Sequence, residues 1–199
     1  MGLISEQKKI CFTHIIKTGG TFVRKELEKN FNDLKIINHI HSSLKDDLVS
    51  NNYIKDYKKA SIVRNPYDWI ISLYYYIKMP INHPDFRIVN NLTLYDFVKW
   101  ISEEGFKRKK NTNNSFYSTQ SYYLYSEDGK LLVDQVFKYE ELSSNNVFKY
   151  LGITKQVSNN IINPSKRPKE WDKLYDKRTI ELINNVFNED FVNFNYKKL

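Results

Sequence analysis

Lys9-Ile10-Cys11-Phe12-Thr13-His14-Ile15-Ile16-Lys17-Thr18-Gly19-Gly20-Thr21 is the stretch whose reading decides the fold. Residues 9–16 are mostly apolar and β-branched, the pattern of a short buried strand, and glycines follow at once. Beyond them the period changes. Phe22, Val23, Leu27 and Phe31 fall on one helical stripe, with Arg24, Lys25, Glu28 and Lys29 on the other side. Strand, glycine turn and helix therefore follow one another directly. Glycines let a backbone turn tightly and approach a ligand. The N–H groups of Gly19, Gly20, Thr21 and Phe22 are predicted to point at an oxyanion, as helix N-termini do. Lys17 adds a mobile positive charge, and Thr18 and Thr21 add hydroxyls. The turn is not a Walker A loop, because G-x-x-x-x-G-K-[ST] spacing is missing and the lysine precedes the glycines. An ordinary Gly-Gly turn would carry the same glycines.

Outward from that unit, strands and helices alternate. Residues 34–37 and 57–63 read as strands. Ser43 with Asp46 reads as a helix cap before residues 44–51. Arg64-Asn65-Pro66 ends the third strand; Asn65 can cap and Pro66 suits a first helical position. Trp69, Ile70, Leu73, Tyr76 and Ile77 then repeat at helical spacing until Pro80 and Pro84. Thr93 and Asp96 open another helix. Residues 107–115 read as a basic loop, 118–125 as a short helix or binding segment, and 136–139 as the clearest part of a strand. Residues 140–151 read as a helix closed by Gly152, and 170–188 as a final helical region. This alternation predicts an α/β fold: one P-loop-like domain over residues 1–199 with a mainly parallel central sheet flanked by helices. Arg64 sits at a strand end, where parallel sheets bind ligands, and Ser72 lies about two helical turns further on.

Composition narrows the class. The chain has 199 residues, 41% hydrophobic and 15% aromatic, enough for a proper core. Lys and Arg number 31 against 23 acidic residues, a net charge of +8 that favours anionic partners without choosing among them. The single cysteine, Cys11, excludes an internal disulfide, a thiolate zinc site and an iron–sulfur cluster. Apolar runs fall short of a membrane span. Residues 1–9 are mostly polar with no secretory apolar core, and Glu6 stands where a myristoylation signal needs Ser or Thr. A soluble, cytoplasmic protein is expected.

Thr13 to Thr21 resembles the first signature of the PAPS-dependent sulfotransferases (PAPS, 3′-phosphoadenosine 5′-phosphosulfate). It is most similar to the carbohydrate-sulfotransferase form H-I-P-K-T-G-G-T. Ser61-Ile62-Val63-Arg64-Asn65-Pro66-Tyr67-Asp68 with Ser72 resembles the second signature, V-R-N-P-Y-D-R-x-x-S. Val136 to Leu142 resembles the later (F/Y)-E-x-L segment, with Gly152 at the L-G that follows. Asn163-Pro164-Ser165-Lys166-Arg167 resembles the loop that closes over the nucleotide, and Glu189-Asp190-Phe191 to Tyr196 a common ending. The resemblance implies that Lys17, Thr18, Gly19, Gly20, Thr21 and Phe22 hold the 5′-phosphosulfate. Arg64 and Ser72 would hold the 3′-phosphate, and Lys166 and Arg167 would cover the nucleotide. The product would be adenosine 3′,5′-bisphosphate. Two departures stand out: Ile16 replaces the usual proline, and Trp69 replaces the common arginine.

Sulfuryl transfer needs a cation near the departing phosphate oxygen, a role for Lys17, and a base for the acceptor hydroxyl. Of four histidines, His14 reads as structural and His83 as surface. His41, followed by Ser42-Ser43-Leu44, matches the position of a histidine in related sulfotransferases and is the favoured base, with His39 the alternative. The two would point oppositely in extended chain. Asp68 and Glu140 are further carboxylate options with more structural-looking motifs. No metal is expected, since His39-x-His41 stands without further ligand spacing. The acceptor is expected to be a hydroxyl on a glycan or sugar-containing small molecule, with a bacterial or viral source suggested by the missing anchor. A small kinase and a non-catalytic nucleotide or nucleic-acid binder are the rivals. Basic and aromatic residues interleave from Phe106 to Tyr125, yet no helix-turn-helix, zinc-finger or RNP signature accompanies them.

Overall fold

The computed structural model describes residues 2–38, 42–79, 83–107, 115–157, 168 and 170–199. Among the described residues, five strands form one sheet in the order β3-β1-β2-β4-β5: β1 Gly2–Ser5, β2 Ile10–Thr13, β3 Lys35–Ile37, β4 Lys58–Val63 and β5 Gln135–Lys138. The pairs β2–β4 and β4–β5 are parallel, and β1 is antiparallel to both β2 and β3. The sheet is thus mixed, with parallel pairing confined to the half that carries the first and second signatures.

β1 lies within residues 1–9, the stretch that reads as mostly polar. Its four residues are all buried, and it forms a hairpin with β2 through a turn in which Lys9 takes a left-handed φ of 52°. Two apolar residues, Leu3 and Ile4, are too few to announce a strand; pairing on both sides makes one. Asp33 braces the hairpin, accepting from Ser5 Oγ at 2.8 Å and the Gln7 N–H at 2.9 Å. The strand expected over residues 9–16 ends at Thr13, and the following residues belong to the turn.

The helices are α1 Gly20–Asn30, α2 Leu44–Ser50, α3 Pro66–Ile77, α4 Phe86–Val89, α5 Leu94–Trp100, α6 Gln120–Leu124, α7 Asn146–Tyr150, α8 Lys177–Val186 and α9 Asn188–Asn193. Their starts follow the expected chemistry. Ser43 and Asp46 form a reciprocal capping box on α2, Asn65 caps α3 with Pro66 inside it, and Thr93 caps α5. The single helix expected over 140–151 is instead a 3₁₀ turn, Tyr139–Ser144, then α7. Asn145 between them is left-handed, at φ 59°. The final helical region is likewise divided into a 3₁₀ turn, Trp171–Leu174, and the helices α8 and α9.

Strand alternation sends side chains to two faces. Leu3, Phe12 and Ile62 pack with Val23 and Leu27 of α1 and Phe148 of α7. Ile4, Cys11 and Val63 pack with Leu44 of α2 and Tyr123 and Leu124 of α6. A third cluster joins α3, α5 and α8 through Trp69, Tyr74, Phe97, Ile183 and Phe187. Burial pushes the Cys11 thiol up to about 12, which removes it from thiolate chemistry.

Candidate active site

The first turn leaves β2 at Thr13. Lys17 and Gly19 both take left-handed backbone, at φ 62° and 87°, and α1 begins at Gly20. The Phe22 and Val23 N–H groups bond the Gly19 carbonyl at 3.0 and 3.3 Å. The Phe22 N–H is therefore used inside the turn. Gly20 and Thr21 supply the first-turn N–H groups that have no backbone acceptor among the described residues. Thr18 is fully buried, and its hydroxyl donates to the Ile15 carbonyl at 2.8 Å, closing the turn from within. The His14 ring lies against Gly20: a Cβ at residue 20 would fall 1.9 Å from His14 Cδ2. His14 thus sits just beyond β2 and shapes the turn. The Lys17 ammonium lies 4.4 Å over the Tyr76 ring of α3.

The second turn leaves β4, which pairs with β2 so that Thr13 is opposite Ser61. Arg64 follows it, only 4% exposed. Its Nε donates to Asp68 at 2.6 Å and its Nη1 to the Lys17 carbonyl at 2.9 Å, so one guanidinium ties the two turns together. The Tyr139 ring, next after β5, covers the guanidinium at 4.0 Å and also abuts Gly19. Burial pulls the Arg64 pKa down, and the neighbouring Tyr139 and Glu140 work against that. The backbone of Arg64 is held as well. Gln120 accepts its N–H and donates to its carbonyl, both at 2.8 Å. Asp190 of α9 then accepts the Gln120 and Ser121 N–H groups, at 2.9 and 2.7 Å, and the Ser121 hydroxyl. Fully buried, Asp190 has its carboxyl pushed up to about 6 by desolvation.

The two carboxylates considered as bases have partners in this frame. Asp68 pairs with Arg64, and Glu140 accepts the Asn65 N–H and the Tyr196 hydroxyl, each at 2.9 Å. Ser72 is buried on α3, about two turns beyond Arg64 in the chain. His83, expected at the surface, is half-buried, its ring 5.9 Å from that of Tyr76 and 5.0 Å from that of Phe116. His39, His41, Lys166 and Arg167 lie outside the described residues. The chain on either side of residues 39–41 is nonetheless fixed. Asn38 Nδ2 and Ser42 Oγ both donate to Asp47 Oδ1, at 2.8 and 2.7 Å. Ile37 and Thr13 are both opposite Gly2, so β3 ends level with β2 on the side of the first turn.

Sequence reasoning missed Tyr139 as a cover for Arg64 and Gln120 as its backbone partner; contacts spanning tens of residues leave no local signal. Trp69 it noted only as a departure. Its indole N–H donates to the Ile16 carbonyl at 2.7 Å, which links the two unusual residues and fixes the one before Lys17.

These features define an α/β protein with a P-loop-like first turn and a second strand-to-helix turn locked beside it at the carboxyl end of a parallel strand pair. The model of the Sulfotransferase family matches residues 2–197, and the chain belongs to that family. No curated protein and no solved structure matches the chain. Among the described residues, no helix is long and apolar enough to cross a membrane.

Proposed function

We propose that the chain moves a sulfuryl group from PAPS to an acceptor hydroxyl on a carbohydrate. The observation that carries this reading is the Arg64–Lys17 carbonyl bond, which ties the turn that bears Lys17 to the turn that bears Arg64. Such a pair suits a nucleotide with phosphates at both the 5′ and 3′ positions. The family membership supports the same donor. The chain's residues fit it: Gly20 and Thr21 offer backbone donors, and Arg64 makes its hydrogen bonds to the described residues through Nε and Nη1, with Nη2 in none of them.

When bound, the donor supplies an activated sulfuryl group whose bond to the 5′-phosphate breaks as the acceptor oxygen bonds to sulfur. Lys17 and the Gly20 and Thr21 N–H groups hold the 5′ end. Lys17 also meets the negative charge that develops on the departing phosphate oxygen. Arg64 with Ser72 holds the 3′-phosphate, and Lys166 and Arg167 cover the nucleotide. His41, with His39 as the alternative, takes the acceptor's proton. The test is calorimetry with adenosine 3′,5′-bisphosphate and adenosine 5′-monophosphate. The bisphosphate is expected to bind more tightly, and Arg64→Ala to weaken it much more than the monophosphate. Equal losses for both ligands would remove Arg64 from the 3′-phosphate role.

A further inference from the structure

The sheet runs out just before Arg64. The β2–β4 pairing ends with Thr13 opposite Ser61, and the β4–β5 pairing ends with Lys138 opposite Val63. Arg64 is the next residue, and nearly all of it is out of water. A buried backbone N–H and carbonyl without a strand beside them need other partners. Gln120 stands in for the strand. Its side-chain amide accepts the Arg64 N–H and donates to the Arg64 carbonyl, the two-bond exchange that a strand neighbour makes. An amide can do this because it carries a donor and an acceptor in one planar group.

Gln120 is itself held. It is fully buried and opens α6, whose cap is the Thr119 hydroxyl. Asp190 of α9, also fully buried, accepts the Gln120 and Ser121 N–H groups and the Ser121 hydroxyl. A carboxylate near the end of the chain thus fixes the residue whose amide fixes Arg64.

We propose that Gln120, seated by Asp190, is a positioning residue for Arg64 and sets how strongly the site prefers a nucleotide with a 3′-phosphate over one without it. The inference rests on the 3′-phosphate reading of Arg64 above. The guanidinium stands at the end of a long side chain, with Nε bonded to Asp68 and Nη1 to the Lys17 carbonyl. Those bonds aim it only while the backbone they hang from keeps its orientation. On the far side that orientation is secured by Glu140, which accepts the Asn65 N–H, and by the start of α3. On the near side Gln120 secures it. A shift of about 1 Å in a positioning group can cost about 10²-fold, so a slack Arg64 backbone is felt at the phosphate. A role confined to stability would weaken every nucleotide alike. A role in aiming Arg64 weakens only the nucleotide that Arg64 holds.

Calorimetry on the full chain tests this with adenosine 3′,5′-bisphosphate and adenosine 5′-monophosphate, and the quantity read is the ratio of their affinities. Gln120→Met has a side chain of similar length and no hydrogen bonds. It should lower the ratio about tenfold, with the monophosphate affinity kept within about twofold. Gln120→Glu keeps the acceptor for the Arg64 N–H and loses the donor to its carbonyl. It should lower the ratio about threefold, and it carries the test should the methionine chain fail to fold. In an Arg64→Ala chain, Gln120→Met should change the ratio no further, because the group being aimed is gone. An unchanged ratio in a folded Gln120 variant, equal losses for both nucleotides, or a further fall in the Arg64→Ala background would each overturn the proposal. A ratio that falls in Arg64→Ala but not in the Gln120 variants overturns this inference alone. An Arg64→Ala chain with the parent's ratio overturns the 3′-phosphate reading, and this inference with it.

Discussion

Replacing Gly20 with alanine tests how the first turn is built. The backbone of Gly20 lies outside the left-handed region, unlike that of Gly19, so alanine meets no conformational penalty there. The obstacle is His14. The new Cβ would lie 1.9 Å from its Cδ2, 2.4 Å from its Nε2 and 2.6 Å from its Cγ. Carbon atoms in contact stand about 3.5–4.0 Å apart, so the ring must retreat by roughly 1.5 Å or the start of α1 must lift away. Overpacking of that kind costs about 1–3 kcal/mol. Urea unfolding reads it directly: with a slope of about 2 kcal/mol per molar, the midpoint should fall by about 1 M. The decisive arm is the same change in a His14→Ala chain. There the clash is gone, and alanine in place of a helical glycine should be neutral or stabilising by up to about 1 kcal/mol. The two substitutions should therefore be strongly non-additive, with a coupling of about 2 kcal/mol. Equal costs for Gly20→Ala in both backgrounds would refute the argument and return the glycine to the service of ligand approach alone.

Lys17→Ala should reduce turnover about 10²-fold or more, since it removes a contact to charge that develops in the transition state. His41→Ala should cut turnover by roughly 10²- to 10⁴-fold with nucleotide affinity nearly unchanged; near-normal activity there, alongside a collapse in His39→Ala, would move the base to His39. Trp69→Phe removes the bond to the Ile16 carbonyl while keeping a ring in the core, and should lower bisphosphate affinity several-fold; an unchanged calorimetric affinity would show that Lys17 needs no such support. Asp190, raised to about 6 from an ordinary carboxyl value near 3.8, holds its proton more tightly folded than unfolded. Its contribution is complete below the unfolded pKa and is lost as pH rises through about 6. The loss is about 3 kcal/mol at most. Asp190→Asn should flatten stability over pH 4–7, and a slope identical to the parent chain's would exclude Asp190 as its source.

Local chemistry made much of this fold legible. Ser43 with Asp46, Asn65 with Pro66, and Thr93 with Asp96 each announce a helix start that the backbone then adopts. The parallel pairing of the strands before Lys17 and Arg64 could be expected from their βα order. What stayed hidden depends on distant partners. Leu3-Ile4 becomes a strand because β2 and β3 flank it. The break at Asn145 has neither proline nor glycine to mark it. Gln120 reads as one polar residue among aromatics until its amide is seen paired with the backbone of Arg64. Ile16 and Trp69 are two separate oddities in sequence and one hydrogen bond in space.

The chain of contacts from Asp190 through Gln120 to Arg64 also orders events in time. The β1–β2 hairpin and β3 pair residues close in sequence and can form once residues 2–37 have emerged. Arg64 cannot be fixed until α6 is capped, and the capping carboxylate is made about 125 residues later. At about 5–20 residues per second, that is a delay of roughly 6–25 s. Through that interval a nascent chain carries its two turns unlocked, with a buried-to-be arginine still hydrated. A ribosome-bound chain halted before Asp190 should therefore be protease-sensitive around Arg64 while its N-terminal hairpin is already protected.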